Sequence, residues 1–333
     1  MLAFKFLVAT TLCLTVTLAQ AAGFRFIEVP ADADGPALKG AMWYPCSEPP
    51  GEIQLGPFTL TGVKDCPISG DKLPLVVVSH GAGGSFDGHH DMAETLADAG
   101  FIVAAIDHPG HTTCDMSRSG DLSVFVERPT DITRLIDFMR CTSAVAPKID
   151  PERIGFFGFS AGGYTGLVLI GANPDWAIPF CTLFHDPREP SWAAPICEQI
   201  LRKEFRVQPL AHDPRIKAAV IADPFSLFFT ADSFAAVRVP VQLWASERRT
   251  ELGGIPMPSA ESVAAVDRSL PAKHEYHVVP NSAHFAFLFI CPSALAKAEP
   301  ELCTDAPGFD RVAFHQQFNA DVLGFFRAQL VDR

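Results

Sequence analysis

A serine, a carboxylate and a histidine in the right chain order can cleave an acyl bond, and this chain contains such a set. Ser160 stands in Gly158-Phe159-Ser160-Ala161-Gly162-Gly163, directly after the apolar run at 154–157. Glycines two residues either side of a serine fit a strand-to-helix turn too sharp for side chains at those places. Such a turn leaves the hydroxyl exposed at a helix N-terminus, where developing negative charge is favoured. A hydroxyl is a poor nucleophile at neutral pH. It needs a histidine base, and the base needs an acid that sets its tautomer. On a strand–turn–helix scaffold of this kind the partners follow in the order serine, acid, histidine.

That order filters the candidates. Of eleven histidines, His185, His212, His274, His277, His284 and His315 follow Ser160. His274 and His277 fall at or within the last predicted strand, His212 precedes a strand, and His315 sits in the terminal helical segment. His284 lies in the loop after the last strand, at a strand carboxyl end where such groups collect, and is the candidate base. Two acids compete. Asp223 follows the apolar run 219–222, and Glu247 follows the next run, where Arg249 occupies the place an aspartate would usually take. Asp223 is the first choice and Glu247 the second; Asp213 precedes its strand and belongs to the opposite end of the sheet. Backbone N–H groups for an oxyanion come from Ala161, after the nucleophile, and from Ala82 in Ser79-His80-Gly81-Ala82-Gly83-Gly84. His80 is expected to organise that loop rather than act as a base. The run Asp107-His108-Pro109-Gly110-His111 with Cys114 has spacings a metal could use, but it lacks a second cluster and reads as a rim loop near the substrate. No cofactor and no metal are expected.

The elements that must position these groups alternate. Strand-like runs are predicted at 24–29, 38–44, 75–79, 101–106, 154–159, 216–222, 241–245 and 275–279, the first two as an antiparallel edge. Helices are predicted at 87–99, 129–141, 161–171, 259–269 and 310–330. A Pro/Gly-rich loop carries Cys46 and Cys66. Alternation of this kind predicts an α/β fold with a mostly parallel central sheet flanked by helices. Residues 172–213, with Trp176, Phe180, Phe184 and Trp192, break the pattern and read as an insertion that covers or walls the site.

The 333 residues carry a net charge of −12, which argues against a nucleic-acid partner. Residues 1–21 read as a signal peptide: Lys5, an apolar stretch at 6–18 and Ala19-Gln20-Ala21. Residues 22–333 then form a single exported domain, periplasmic or secreted, with no stable membrane span after cleavage. Eight of the nine cysteines remain once Cys13 is removed, an even number that suggests sequence-local bridges Cys46–Cys66, Cys114–Cys141, Cys181–Cys197 and Cys291–Cys303. Oligomeric state is not legible.

Four blocks together resemble the exported dienelactone-hydrolase-like branch of the α/β-hydrolase superfamily and the related platelet-activating-factor acetylhydrolases. They are Trp43-Tyr44-Pro45, Val78-Ser79-His80-Gly81-Ala82-Gly83-Gly84, Ala105-Ile106-Asp107-His108-Pro109-Gly110 and Gly158-Phe159-Ser160-Ala161-Gly162-Gly163. The likeness covers most of 24–330. It implies the α/β-hydrolase fold and ester hydrolysis on a small-molecule or polymeric ester. The acetylhydrolases take their acid from the strand before the penultimate one, which implies Asp223 and leaves Glu247 in support. Dienelactone hydrolases use a cysteine nucleophile where this chain has Ser160, so lactone hydrolysis does not carry over. Polyester or cutin hydrolysis, phospholipid acyl hydrolysis and peptide hydrolysis are the rival chemistries. A catalytically inactive binding protein on the same scaffold is the rival from another class.

Overall fold

A computed structural model describes residues 21–176, 181, 194–202, 210–252, 255–271 and 273–332. Residues 1–20 of the expected signal peptide 1–21, and Phe180, Phe184 and Trp192, lie outside them. The described strands are β1 Ala21–Val29, β2 Leu38–Cys46, β3 Gly51–Leu55, β4 Phe58–Lys64, β5 Leu73–Ser79, β6 Ile102–Ile106, β7 Ile149–Phe159, β8 Ile216–Ala222, β9 Val241–Ser246, β10 Glu251–Leu252, β11 Ile255–Pro256 and β12 His274–Val279. The helices are α1 His90–Asp98, α2 Ser123–Asp137, α3 Ala161–Leu169, α4 Ala194–Arg202, α5 Ala260–Ser269, α6 Ser293–Ala298, α7 Pro300–Cys303 and α8 Arg311–Leu330.

Ten strands form one sheet in the order β12-β9-β8-β7-β5-β6-β2-β1-β4-β3. It is parallel from β12 to β6 and antiparallel at β6–β2 and β2–β1. The central strands are apolar on both faces because helices cover both. Leu75 and Val77 join the cluster under α2, α3 and α5, while Val76 and Val78 join the cluster under α1 and α8. The period of two follows from the pleat. From β5 the chain crosses to β6 on one side and returns to β7 on the other. The direction of winding therefore reverses between β5 and β7, and a crevice opens at their carboxyl ends. The His80–Gly84 loop and Ser160 both emerge there.

Four expectations need correction. The segment read as a Pro/Gly loop folds into the hairpin β3–β4, with Ile53, Leu55, Phe58 and Leu60 buried in alternation and Gly56 turning at φ 55°. That hairpin pairs with β1, so β1 and β2 are not the sheet edge. The helix expected to start at Pro129 starts six residues earlier and runs through the proline, ending in a π-helical turn at Phe138–Thr142. Buried Ile132, Leu135 and Ile136 hold it to the sheet although Pro129 offers no N–H. Finally, three of the four bridges form: Cys46–Cys66, Cys181–Cys197 and Cys291–Cys303. Cys114 and Cys141 are free and exposed. Cys114 lies before the start of α2 and Cys141 beyond its end. The fifteen residues of α2 rise roughly 22 Å, whereas a disulfide needs Cα atoms within about 7 Å.

Within 172–213, α4 packs over α3 and the start of α2. Ile196 and Ile200 join Leu122, Phe125 and Tyr164, and Gln199 Oε1 accepts the Leu122 N–H at 3.0 Å. No described helix is long and apolar enough to cross a membrane.

Candidate active site

Ser160 sits between β7 and α3 at φ 55° and ψ −117°, a left-handed backbone that a serine adopts only under constraint. The constraint is visible. Its N–H donates to Ala222 O at 3.0 Å, and its carbonyl accepts from Phe225 N at 2.9 Å and Tyr164 N at 3.1 Å. Two glycines permit the turn: a Cβ at Gly162 would strike the Ser79 carbonyl, and one at Gly158 would strike the Gly162 carbonyl. Ser160 itself stays partly exposed.

His284 opens a short 3₁₀ turn, His284–Phe287, five residues past β12. Its ring stacks on Phe159, the neighbour of Ser160, with centroids 4.6 Å apart. His284 Nδ1 lies 2.7 Å from Asp223 Oδ2. A carboxylate only accepts, so Nδ1 carries the hydrogen and Nε2 keeps a free lone pair. Asp223 is fully buried at the end of β8. Its two oxygens also accept from Ser246 N–H at 2.9 Å and Ser246 Oγ–H at 2.6 Å. Glu247 is exposed and caps the turn before His284, accepting the Asn281 N–H at 2.6 Å. Of the two candidate acids, only Asp223 meets the histidine. Arg249 pairs with Glu261 at the surface, and Asp213 pairs with Arg215 at 2.6 Å before β8.

The loop after β5 leans on Ser160: a Cβ at Gly81 would lie 3.2 Å from Ser160 Cβ. Ala82 is exposed at its tip, and neither Ala82 N–H nor Ala161 N–H donates in any turn or loop bond among the described residues. His80 organises the loop as expected. Its Nδ1–H reaches Gly81 O at 2.6 Å, the carbonyl of the very peptide that carries the Ala82 N–H, and its Nε2 accepts the His108 N–H at 3.1 Å. Burial, reinforced by the Arg128 charge, holds His80 well below the ordinary histidine range, so it is neutral.

The rim-loop expectation for His108 and His111 fails in an informative way. Both are buried and turn inward to a polar network beneath the 80–84 loop. His108 Nδ1 lies 2.9 Å from Asp131 Oδ2, and His108 Nε2 lies 2.9 Å from Ser79 Oγ. Arg128 joins the same network from α2. Nothing local in the sequence marks Arg128 or Asp131, since both read as the polar face of a helix. Burial pushes the Arg128 guanidinium down to about 9 and the Asp131 carboxyl up to about 7. Burial, with help from Arg128, lowers His111 to about 3. No group of three or more His, Cys, Asp or Glu among the described residues is arranged to hold a metal ion.

A cavity of about 560 Å³ opens next to Asp223. Phe225, Leu227 and Met257 line it together with Arg249 and Glu261. Ser160 is not in its wall, but Phe225, whose N–H donates to the Ser160 carbonyl, is.

Residues 70–246 match the family described as serine aminopeptidase, S33, a span that contains Ser160 and Asp223 but not His284. Among solved structures, the ferulic acid esterase from Streptomyces cinnamoneus superposes with a TM-score of 0.64. The two are 18% identical, with 96% of this chain and 92% of that chain covered, so the likeness is one of fold. No curated protein matches the chain. These matches support the α/β-hydrolase superfamily and not the dienelactone-hydrolase or acetylhydrolase branch within it. With more than half of its 333 residues matched, and with the sheet order and strand–Ser160–helix turn described above, the chain belongs to the serine aminopeptidase, S33, family of α/β-hydrolases.

Proposed function

We propose that the protein is an exported serine hydrolase that cleaves carboxylic esters, with Ser160 as nucleophile, His284 as base and Asp223 as the orienting acid. The observation that carries this reading is the 2.7 Å hydrogen bond from His284 Nδ1 to buried Asp223, made by a ring that stacks on Phe159, the residue before the strained Ser160. Ser160 Oγ attacks the ester carbonyl carbon and its proton passes to His284 Nε2. The Ala82 and Ala161 N–H groups hold the resulting oxyanion. The tetrahedral intermediate collapses, the C–O bond to the alcohol breaks, and His284 returns the proton to the leaving alcohol. A water then repeats the cycle on the acyl-enzyme and frees the acid. The mature unit is the single domain 22–333 after loss of 1–21, and the three bridges suit an oxidising compartment. No cofactor takes part.

The test is Ser160→Ala. Turnover of p-nitrophenyl butyrate should vanish while the fold persists, and the wild type should label with a fluorophosphonate at Ser160. A variant that still turns over, or a wild type that does not label, removes this reading and favours a binding protein on the same scaffold. The family match favours one second reading, an aminopeptidase. A free α-ammonium would need a carboxylate near the site. The cavity beside Asp223 holds Glu251 and Glu261, the latter already paired with Arg249. Amino-acid p-nitroanilides set against p-nitrophenyl esters of rising chain length, phospholipids and insoluble polyesters separate these chemistries.

A further inference from the structure

We propose that Arg128 is a positioning residue for the oxyanion-binding N–H groups: one buried guanidinium ties the loop that carries Ala82 to the helix that carries Ala161. The proposal rests on the reading of Ser160 as the nucleophile.

Arg128 is 1% exposed and its planar fork reaches three segments. Towards the loop after β5, Nη2 donates to the His80 carbonyl and, at 3.2 Å, to Ser79 Oγ. Towards α3, Nε donates to Thr165 Oγ1 at 3.2 Å, and that hydroxyl spends its own hydrogen on Ala161 O at 2.9 Å. Towards the rim loop, Nη1 donates to His111 Nδ1 at 3.1 Å. Ala82 and Ala161 belong to different elements, and their N–H groups must converge on one oxygen. A single rigid side chain bonded to both elements fixes that separation. A lysine ammonium carries the charge but not the fork that spans them.

All four acceptors are neutral, so the charge needs a counterpart. The donors and acceptors name it. Asp131 accepts from His108 Nδ1–H, His108 Nε2 accepts from Ser79 Oγ–H, and Ser79 Oγ accepts from Arg128. Asp131, which also faces Arg134 at 3.6 Å, thus meets the guanidinium through two neutral, polarised groups. The three residues repeat a Ser–His–Asp arrangement, but Ser79 is fully buried and its oxygen already faces the guanidinium. It serves as a relay rather than a second nucleophile. Burying an unpaired cation is costly, and a core residue kept only for packing would be apolar.

Misplacing a reacting or stabilising group by an ångström costs about a hundredfold in rate. Arg128→Gln should therefore lower kcat for p-nitrophenyl butyrate about a hundredfold with KM within about threefold, and weaken an alkyl boronic acid, a tetrahedral mimic, in step with kcat. Arg128→Lys should recover only part of the loss. Ser160 should still label with a fluorophosphonate, only slower. A folded Arg128→Gln protein with wild-type kcat and boronate affinity overturns the proposal. If that variant does not fold, Thr165→Val decides: it cuts the link to α3 alone and should lower kcat about tenfold with KM unchanged, and wild-type kcat there overturns the proposal. Failure of the underlying reading looks different, because Ser160→Ala would then retain turnover.

Discussion

His315 is bonded at both ring nitrogens, Nδ1 to Asp91 Oδ2 at 2.6 Å and Nε2 to the Ala286 carbonyl at 2.9 Å. Both partners are acceptors, so the ring bridges α8 to α1 at one nitrogen and to the turn of Ala286 at the other. Ala286 lies in the 3₁₀ turn that His284 opens, so this bridge between α1 and α8 anchors the turn of the candidate base. Burial raises the Asp91 carboxyl, but His315, His90 and Asn319 outweigh it and hold the group below its ordinary value. His315→Ala should cost about 2–4 kcal/mol in urea unfolding at neutral pH, because it strands the carboxylate, and lower kcat about tenfold through the loosened turn. A depressed carboxylate contributes stability above its ordinary value of 3.8 and loses it as pH falls below that. The variant and the wild type should therefore converge in acid. A gap that persists in acid would assign the effect to packing instead.

The two acid candidates separate by substitution. Asp223→Asn removes the acceptor that sets the His284 tautomer and should lower kcat about 10⁴-fold with the fold retained. Among the described residues Glu247 accepts the Asn281 N–H at the surface and does not meet His284, so Glu247→Gln should stay within about threefold of wild-type kcat. Steady-state rates on p-nitrophenyl butyrate check both, and the reverse ranking would move the acid role to Glu247.

The candidate catalytic residues were legible because the chemistry proposed for them restricts residue type and order. A nucleophile turn needs Gly158 and Gly162, and the order of partners left His284 after the last strand. Asp223 was harder, since β8 and β9 each end within a residue of an acid and only contact with His284 distinguishes them. The hairpin β3–β4 was hidden by Gly51, Pro57 and Gly62, although Ile53, Leu55, Phe58 and Leu60 alternate as a half-buried hairpin should. Arg128 was hidden for another reason. An arginine before a proline on a helix reads as a solvated face, and its four partners lie 17 to 49 residues away. His108 and His111 misled because their spacing suits a rim loop, while their side chains turn inward to acceptors and donors that only the fold assembles.

Cysteine chemistry offers a direct count. Cys114 and Cys141 are exposed thiols at opposite ends of α2, and the other six cysteines from residue 22 onward are paired. A protein comprising residues 22–333 should give two equivalents of thiol with a chromogenic disulfide before reduction, and both should react without denaturant. Carboxymethylation followed by peptide mapping should place the label on these two alone. A count of zero would restore the Cys114–Cys141 bridge.

Asp107 follows β6 and holds the segment behind the 80–84 loop, accepting the Phe86 N–H at 2.8 Å. Burial pushes its carboxyl up from 3.8 to about 6, the nearby Asp87 charge adding to this while the Phe86 bond and Lys39 oppose it. Between those two values the folded state holds the proton more tightly than the unfolded state does. Stability contributed by this group must therefore fall as pH rises from 3.8 to about 6. Asp107→Asn keeps an oxygen for the Phe86 N–H and removes the titration. The variant should match wild type near the lower value and exceed it by about 3 kcal/mol above the higher one. Urea unfolding of both proteins across that window measures the difference, in which the other titrating groups cancel. A difference that stays constant with pH would mean that Asp107 ionises in the folded protein as it does in the unfolded chain.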